Sequence, residues 1–340
     1  MYRVHSYRQV VVDPSSNREG GVSMARRGVS YAKWGYIFSI PFVVTFLIFS
    51  LYPTLYTVVI GFTDLRGLGK TAFKFLSDPF ENYKLILANA TFKKSLANTA
   101  IIWIMNFIPQ ITLALLLTAW FTTRRFHVKA QGAFKVLIYM PNIITAATIA
   151  ILFNSLFGYP KGPINDLLIR LGIIEGPRHF HLQKWTAKGV VAFIQFWMWY
   201  GNSMIVLIAG VLGIDVTLFE AAEIDGANAP QIFFRITLPR LKTIVLYVLI
   251  TSMIGGLQMF DIPRLYLLGG PDNATLTSSV FIYNQAFSGS YLYNRASAAS
   301  MIVFMIIVVL SVALFFIMRD QDEVKLRKER RALKRRGGRV

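Results

Sequence analysis

The chain has 340 residues, 54% of them apolar, with 36 Lys and Arg against 17 Asp and Glu and a formal net charge of +19. That apolar content, gathered into blocks, excludes a soluble globule of this size, and the absence of cysteine excludes disulfides, thiolate metal sites and cysteine nucleophiles. The positive charge does not point to nucleic acid, because no aromatic residue interleaves with the basic run at 325–339.

Residues 1–33 read as a basic, cytoplasmic N-terminal tail. Six apolar stretches then follow, at 34–60, 96–120, 136–157, 189–212, 243–263 and 297–318. Each is long enough to cross a hydrocarbon core of about 30 Å, which takes roughly 20 helical residues. Pro41, Pro53, Pro109 and Pro141 interrupt them but are tolerated where neighbouring helices satisfy the freed backbone groups. The first block is 27 residues long, more than the roughly 7–15 of a signal-peptide core. No ten-residue units of alternating polarity occur, which argues against a β-barrel. The expected class is therefore all-α integral membrane with six transmembrane helices: a spanning domain at 34–318 and a basic tail at 319–340.

Charge placement sets the orientation. The two tails and the 121–135 and 213–242 loops hold 23 basic residues, against 13 in the 61–95, 158–188 and 264–296 loops. The positive-inside rule places both termini in the cytoplasm, with the C-terminal basic run beside anionic lipid headgroups.

In the first outer loop, Gly69-Lys70-Thr71 resembles the end of a phosphate-binding loop, but Asp64 stands where the leading glycine belongs and no strand precedes it. His179 and His181, two histidines without further ligands, read as loop residues rather than a metal site. Within the spans there is no Lys, Arg or Glu, and the one acidic residue is Asp261 near an outer end. Ion-coupled carriers place ionisable groups at membrane depth. Their scarcity here disfavours ion coupling and implies that any transport draws its energy from outside the membrane.

The spans do carry polar and aromatic stripes. Asn106 and Gln110 form a pair in the second span. Gln195, Trp199 and Asn202 fall at i, i+4 and i+7 in the fourth, flanked by Trp197 and Tyr200. In the fifth, Tyr247, Thr251 and Gln258 share a face, and Ser252, Gly255 and Gly256 allow close helix approach. Aromatic rings with amides suit a sugar, whose ring faces are apolar and whose edges are hydroxylated. The alternative is that the amides join helices, at roughly 0.6–2 kcal/mol each, and that the tryptophan anchors at the interface.

The 213–242 loop differs from the others. Asp215-Val216-Thr217 starts a helix, Glu220 and Glu223 fall on one side of it and Phe219, Ala222 and Gly226 on another, and a second amphipathic stretch runs from Pro230 to Ile236. Gly226 permits a turn or a close backbone approach. These residues alone describe equally a helix–turn–helix whose apolar side enters a partner's groove and an interfacial amphipathic segment.

The residues Glu220-Ala221-Ala222-x3-Gly226-x9-Ile236-x-Leu238-Pro239 resemble the EAA loop, E-A-A-x3-G-x9-I-x-L-P, of permease subunits of binding-protein-dependent ABC importers, with every specified position filled. Leu51-Tyr52-Pro53, Gly61-Phe62-Thr63-Asp64, Phe260-Asp261-Ile262-Pro263, Gly269-Gly270-Pro271 and Tyr283-Asn284-Gln285-Ala286-Phe287 are similar to the MalF/UgpA-like carbohydrate permeases. Arg264 and Leu267-Leu268 depart from that pattern in an outer segment. The resemblance implies a MetI-like type I ABC importer permease in a bacterial or archaeal plasma membrane. It implies a second homologous permease, two copies of a cytoplasmic ATPase docking on the EAA loops, and an extracytoplasmic solute-binding protein. ATP and magnesium would be held by the ATPase, and no cofactor by this chain. The solute would be a sugar or oligosaccharide, with glycerol phosphate or a peptide as alternatives, and an ion-coupled carrier as a more distant one.

Overall fold

The computed structural model describes residues 32–123, 129–289 and 291–318. Except for Ala32 and Lys33, both tails lie outside these residues, as does the basic run at 325–339. The described residues are helical apart from loops and one isolated antiparallel bridge between Thr63 and Phe75. In chain order they form α1 (Ala32–Phe46), a π-helical stretch Leu47–Leu51, α2 (Tyr52–Ile60), α3 (Glu81–Ala88), α4 (Ala90–Thr122), α5 (Gln131–Ile143), α6 (Ala146–Leu156), α7 (Pro163–Arg170) and α8 (Lys184–Leu212). There follow α9 (Val216–Ile224), α10 (Ala229–Ile232), a second π-helical stretch Phe233–Thr237, α11 (Leu238–Arg240), α12 (Lys242–Leu257), α13 (Asp261–Leu267), α14 (Ser278–Phe287) and α15 (Tyr293–Met318).

Five helical segments are long and apolar enough to cross a membrane: Lys33–Ile60, Ala90–Thr122, Lys184–Leu212, Lys242–Leu267 and Tyr293–Met318. A sixth is present if α5 and α6 count as one span. The chain divides into two compact units, Met1–Pro53 and Thr54–Val340. In the first, large apolar side chains such as Phe38, Phe42 and Phe49 are exposed, which suits a helix whose solvent is lipid.

In the second unit, α4 and α8 begin one to two turns before the expected starts at 96 and 189. Asn89 caps α4 by accepting from Phe92 N at 3.0 Å, so Lys93 and Lys94 lie on the helix, as Lys184 and Lys188 lie on α8. The third expected span, 136–157, is not one helix: α5 and α6 meet at 92°. Pro141 lacks the N–H that the last turn of α5 would use, Ile144 is extended with ψ 138°, and Thr145 starts α6 by accepting from Thr148 N. The fifth, 243–263, also breaks. α12 ends at Leu257 after the weak helix formers Gly255 and Gly256, Phe260 leaves the helical region (φ −128°), and α13 restarts with Pro263 in its first turn, where no intrahelical N–H is lost. Gln258 therefore caps α12 instead of continuing its helical face.

α4 packs along α8, α5 also lies on α8, α6 meets α13, and α12, α14 and α3 pack on α15. The core falls into three apolar clusters, around Ile194 and Ile149, around Phe92 and Val280, and around Met204 and Leu207. Buried amides tie loops to helices: Asn98 donates to Asn273 O (2.7 Å) and Leu276 O (3.1 Å), and Asn82 donates to Gly61 O (3.0 Å) and Thr63 O (2.9 Å) while accepting from Asn294.

Candidate functional site

α4, α8, α12 and the break at 258–260 border a cavity of about 410 Å³. All six pocket residues expected from the sequence line it: Gln195, Trp199 and Asn202 from α8, Tyr247 and Thr251 from α12, and Gln258 at the α12 cap, together with Asn106 and Gln110 of α4. The helical stripe reads correctly on α8, and Gln258 reaches the cavity from the break. Trp197 and Tyr200 pack elsewhere, on Phe153 (5.6 Å between centroids) and Phe196 (5.5 Å).

The amides divide into two groups. Gln110 Nε2 donates to Ser203 Oγ at 2.7 Å, joining α4 to α8, and Asn106 donates to Ile102 O one turn back. Gln110 thus joins two helices, as the alternative reading expects, whereas Asn106 bonds within its own helix. The side-chain amides of Gln195, Asn202 and Gln258 make no hydrogen bond among the described residues; Gln195 is 9% exposed, Asn202 half-buried and Gln258 exposed. Each offers amide donors and a carbonyl acceptor to the cavity, so these amides suit a ligand with hydroxyls. Thr251 returns its hydroxyl to Tyr247 O at 2.8 Å. Gly255 has open space beside it, whereas Gly256 is pressed on Trp103.

Three residues of the Phe260-Asp261-Ile262-Pro263 run also line the cavity, Phe260, Asp261 and Ile262, and Asp261 is the one charged group in the lining. The sequence places this run at the outer end of the fifth span, 243–263. The bend at 258–260, which no local rule positioned there, turns it inward. The lining thus combines aromatic rings, amides and one carboxylate, groups able to pack on apolar surface and to hydrogen-bond hydroxyls.

The two histidines have protein partners: His181 Nε2 lies 2.6 Å from the Tyr266 hydroxyl, and the His179 ring stacks on Tyr159 at 4.5 Å. Burial, with His179 adding a smaller effect, holds the His181 imidazole below its usual value.

The 213–242 loop folds as helix, turn and helix. Asp215 caps α9, accepting from Thr217 N (3.0 Å) and its hydroxyl (2.9 Å). These two bonds hold the carboxyl below its usual value. Gly226 ends α9 at φ +75° with nothing near its missing Cβ, so its need is conformational and not one of close approach within the chain. Asn228 and Gln231 then form a reciprocal capping box that the sequence reading did not register, although Asn-x-x-Gln signals it.

The expected face of Phe219, Ala222 and Gly226 needs correction. Ala222 is 8% exposed, and Phe219 packs on the Met204 and Leu207 cluster, so both point into this chain. Ala221, Glu220, Glu223 and Gly226 are exposed, and Ile224 is 85% exposed. Ile236 and Leu238 are half-buried and Pro239 is exposed. The loop thus fixes one face to α4 and α8 and presents the other outward.

Residues 85–322 match the family described as binding-protein-dependent transport system inner membrane component. The lactose transport system permease protein LacF of Rhizobium radiobacter is 32% identical over 84% of this chain and 94% of its own length. The arabinooligosaccharides transport system permease protein AraP of Bacillus subtilis (strain 168) is 31% identical over 88% and 93%. In fold, the chain is similar to one from a bacterial alginate ABC transporter in complex with alginate pentasaccharide-bound periplasmic protein, with a TM-score of 0.72, 22% identity and coverage of 84% and 94%. The chain is a multi-pass membrane transport component and belongs to the binding-protein-dependent transport system inner membrane component family.

Proposed function

We propose that this chain is one permease half of an ATP-driven importer in a bacterial or archaeal plasma membrane, taking a sugar or oligosaccharide from an extracytoplasmic solute-binding protein. The observation that carries this is the cavity in which Gln195, Asn202 and Gln258 stand unpaired beside Trp199 and Tyr247. The named solutes of LacF and AraP, lactose and arabinooligosaccharides, support a carbohydrate.

In this reading both termini face the cytosol. A second homologous permease completes the path, and two copies of an ATPase dock on the outward face of the 213–242 loop and on its counterpart. ATP and magnesium stay with the ATPase. Because Phe219 and Ala222 anchor the loop to α4 and α8, closure of the ATPase pair moves the helices that wall the cavity. ATP and the loaded binding protein shift the inward and outward states only through their differing affinities for the two.

The test is uptake by the assembled transporter in proteoliposomes, with lactose, arabinotriose and maltotriose supplied through the cognate binding protein. Uptake that requires ATP inside the vesicle-equivalent of the cytosol supports the reading. Uptake that persists without ATP and collapses with an uncoupler assigns the chain to ion-coupled carriers instead.

A further inference from the structure

A row of aromatic rings begins at the cavity and leads away from it. Phe260 lines the cavity. Its ring centroid is 5.2 Å from that of Tyr283, which is 5.2 Å from Phe287, which is 6.1 Å from Tyr293, which is 6.4 Å from Tyr291. Tyr283 and Phe287 are four residues apart on α14 and so share a face. The start of α14 is tied to the cavity wall, because the hydroxyl of its cap Thr277 donates to Met259 O at 2.9 Å, next to Phe260. Arg264, a departure from the family pattern, lies over the Tyr283 ring at 4.9 Å and donates from Nη1 to Asn284 Oδ1 at 3.2 Å.

Packing alone does not account for this row. The aromatic that α14 gives to the core is Phe281, 3% exposed and 5.3 Å from Phe92. None of the five rings of the row is buried, and Phe287 is 56% exposed. The row therefore keeps ring surface available along a line that ends in the cavity.

We propose that this row is a second carbohydrate site, an entry path on which the rings of a linear saccharide stack on their way to the cavity. It rests on the importer reading for the direction of travel. The C–H faces of a sugar ring pack on aromatic faces, and the centroid spacing is comparable with the repeat of one sugar unit in a linear chain. Arg264 and Asn284 stand beside Tyr283 with donors and an acceptor for hydroxyls. Stacking is tolerant of hydroxyl pattern, so the path selects for saccharide rings as a class and leaves discrimination to the amides of the cavity.

The experiment uses the assembled transporter in nanodiscs, with maltopentaose as the probe and saturation transfer from aromatic protons to sugar C–H protons as the readout. A signal is expected from the wild type. Phe287→Leu and Tyr283→Leu, which keep apolar volume but remove the ring, should lower it roughly threefold or more, and Phe287→Tyr should retain it. No wild-type signal, full signal in Phe287→Leu, or loss in Phe287→Tyr equal to that in Phe287→Leu would each overturn the proposal. Trp199→Ala separates the two readings: it should depress uptake while leaving the part of the signal that depends on Phe287. Undiminished uptake in that variant counts against the cavity and not against the row.

Discussion

Gly256 of α12 lies against the indole of Trp103 on α4, so that a Cβ at this position would clash with the ring edge, closest to Cδ1. The fifth span thereby reaches the second at a distance only glycine allows, one residue from the cavity-lining Gly255. Gly256→Ala should overpack the contact and lower stability by about 1–3 kcal/mol. Gly255→Ala, with nothing within 4 Å of the new atom, should change it by less than about 0.5 kcal/mol. Thermal unfolding of the detergent-solubilised complex compares the two, and equal melting points would remove the packing argument.

Cysteine placed along α9 should report the inward and outward faces of the 213–242 loop and test its proposed docking role. Ala221→Cys and Ile224→Cys, on exposed positions, should crosslink to the ATPase and react quickly with a polar maleimide. Ala222→Cys, on a position 8% exposed, should do neither. Crosslinking from position 222 in preference to 221 would reverse the assigned faces.

Gly226 holds φ +75°, which costs a non-glycine residue roughly 1–2 kcal/mol. Gly226→Ala should weaken stimulation of ATPase by the loaded binding protein, and Gly226→Asp should abolish both stimulation and uptake while the chain still inserts. Wild-type uptake in the aspartate variant is the result that removes this turn from the coupling path.

In the cavity, Trp199→Ala and Gln195→Leu should raise the half-saturation for sugar uptake about tenfold, corresponding to roughly 1.4 kcal/mol, with ATPase still associated. Gln110→Leu should act differently. It removes the bond to Ser203, so the loss should be seen in unfolding, at about 0.5–1.5 kcal/mol. A pure affinity effect at position 110 would show that the division of the amides is wrong.

The segment around His181 should loosen in acid. Its folded-state pKa is lowered from 6.5, chiefly by burial and next by His179, so the unfolded segment binds more protons near and below that value. The contribution of the neutral imidazole is present above pH 6.5 and is lost as the pH falls through the folded value. Amide exchange across residues 158–183, corrected for intrinsic rates, should rise between pH 7 and pH 5, and His181→Gln should flatten the rise. An unchanged slope in that variant would assign the loosening to other groups.

The membrane class follows from composition alone, because a hydrocarbon solvent demands long apolar helices wherever they lie in the chain. The 213–242 loop is also local: Glu220, Gly226 and Pro239 stand at set spacings, and the turn at Gly226 and the cap at Asp215 depend on neighbours within a few residues. The stripe of Gln195, Trp199 and Asn202 is legible for the same reason, since one helix fixes its own faces. Contacts between distant segments decided the rest. Whether an amide is spent or free depends on a partner such as Ser203, 93 residues from Gln110. Whether Ala222 faces a partner protein or this chain depends on where α4 and α8 end, and the bend at 258–260 brings Phe260 and Asp261 to the cavity. Periodicity describes a helix about its own axis, while burial, pairing and pocket shape belong to the packing of one helix on another.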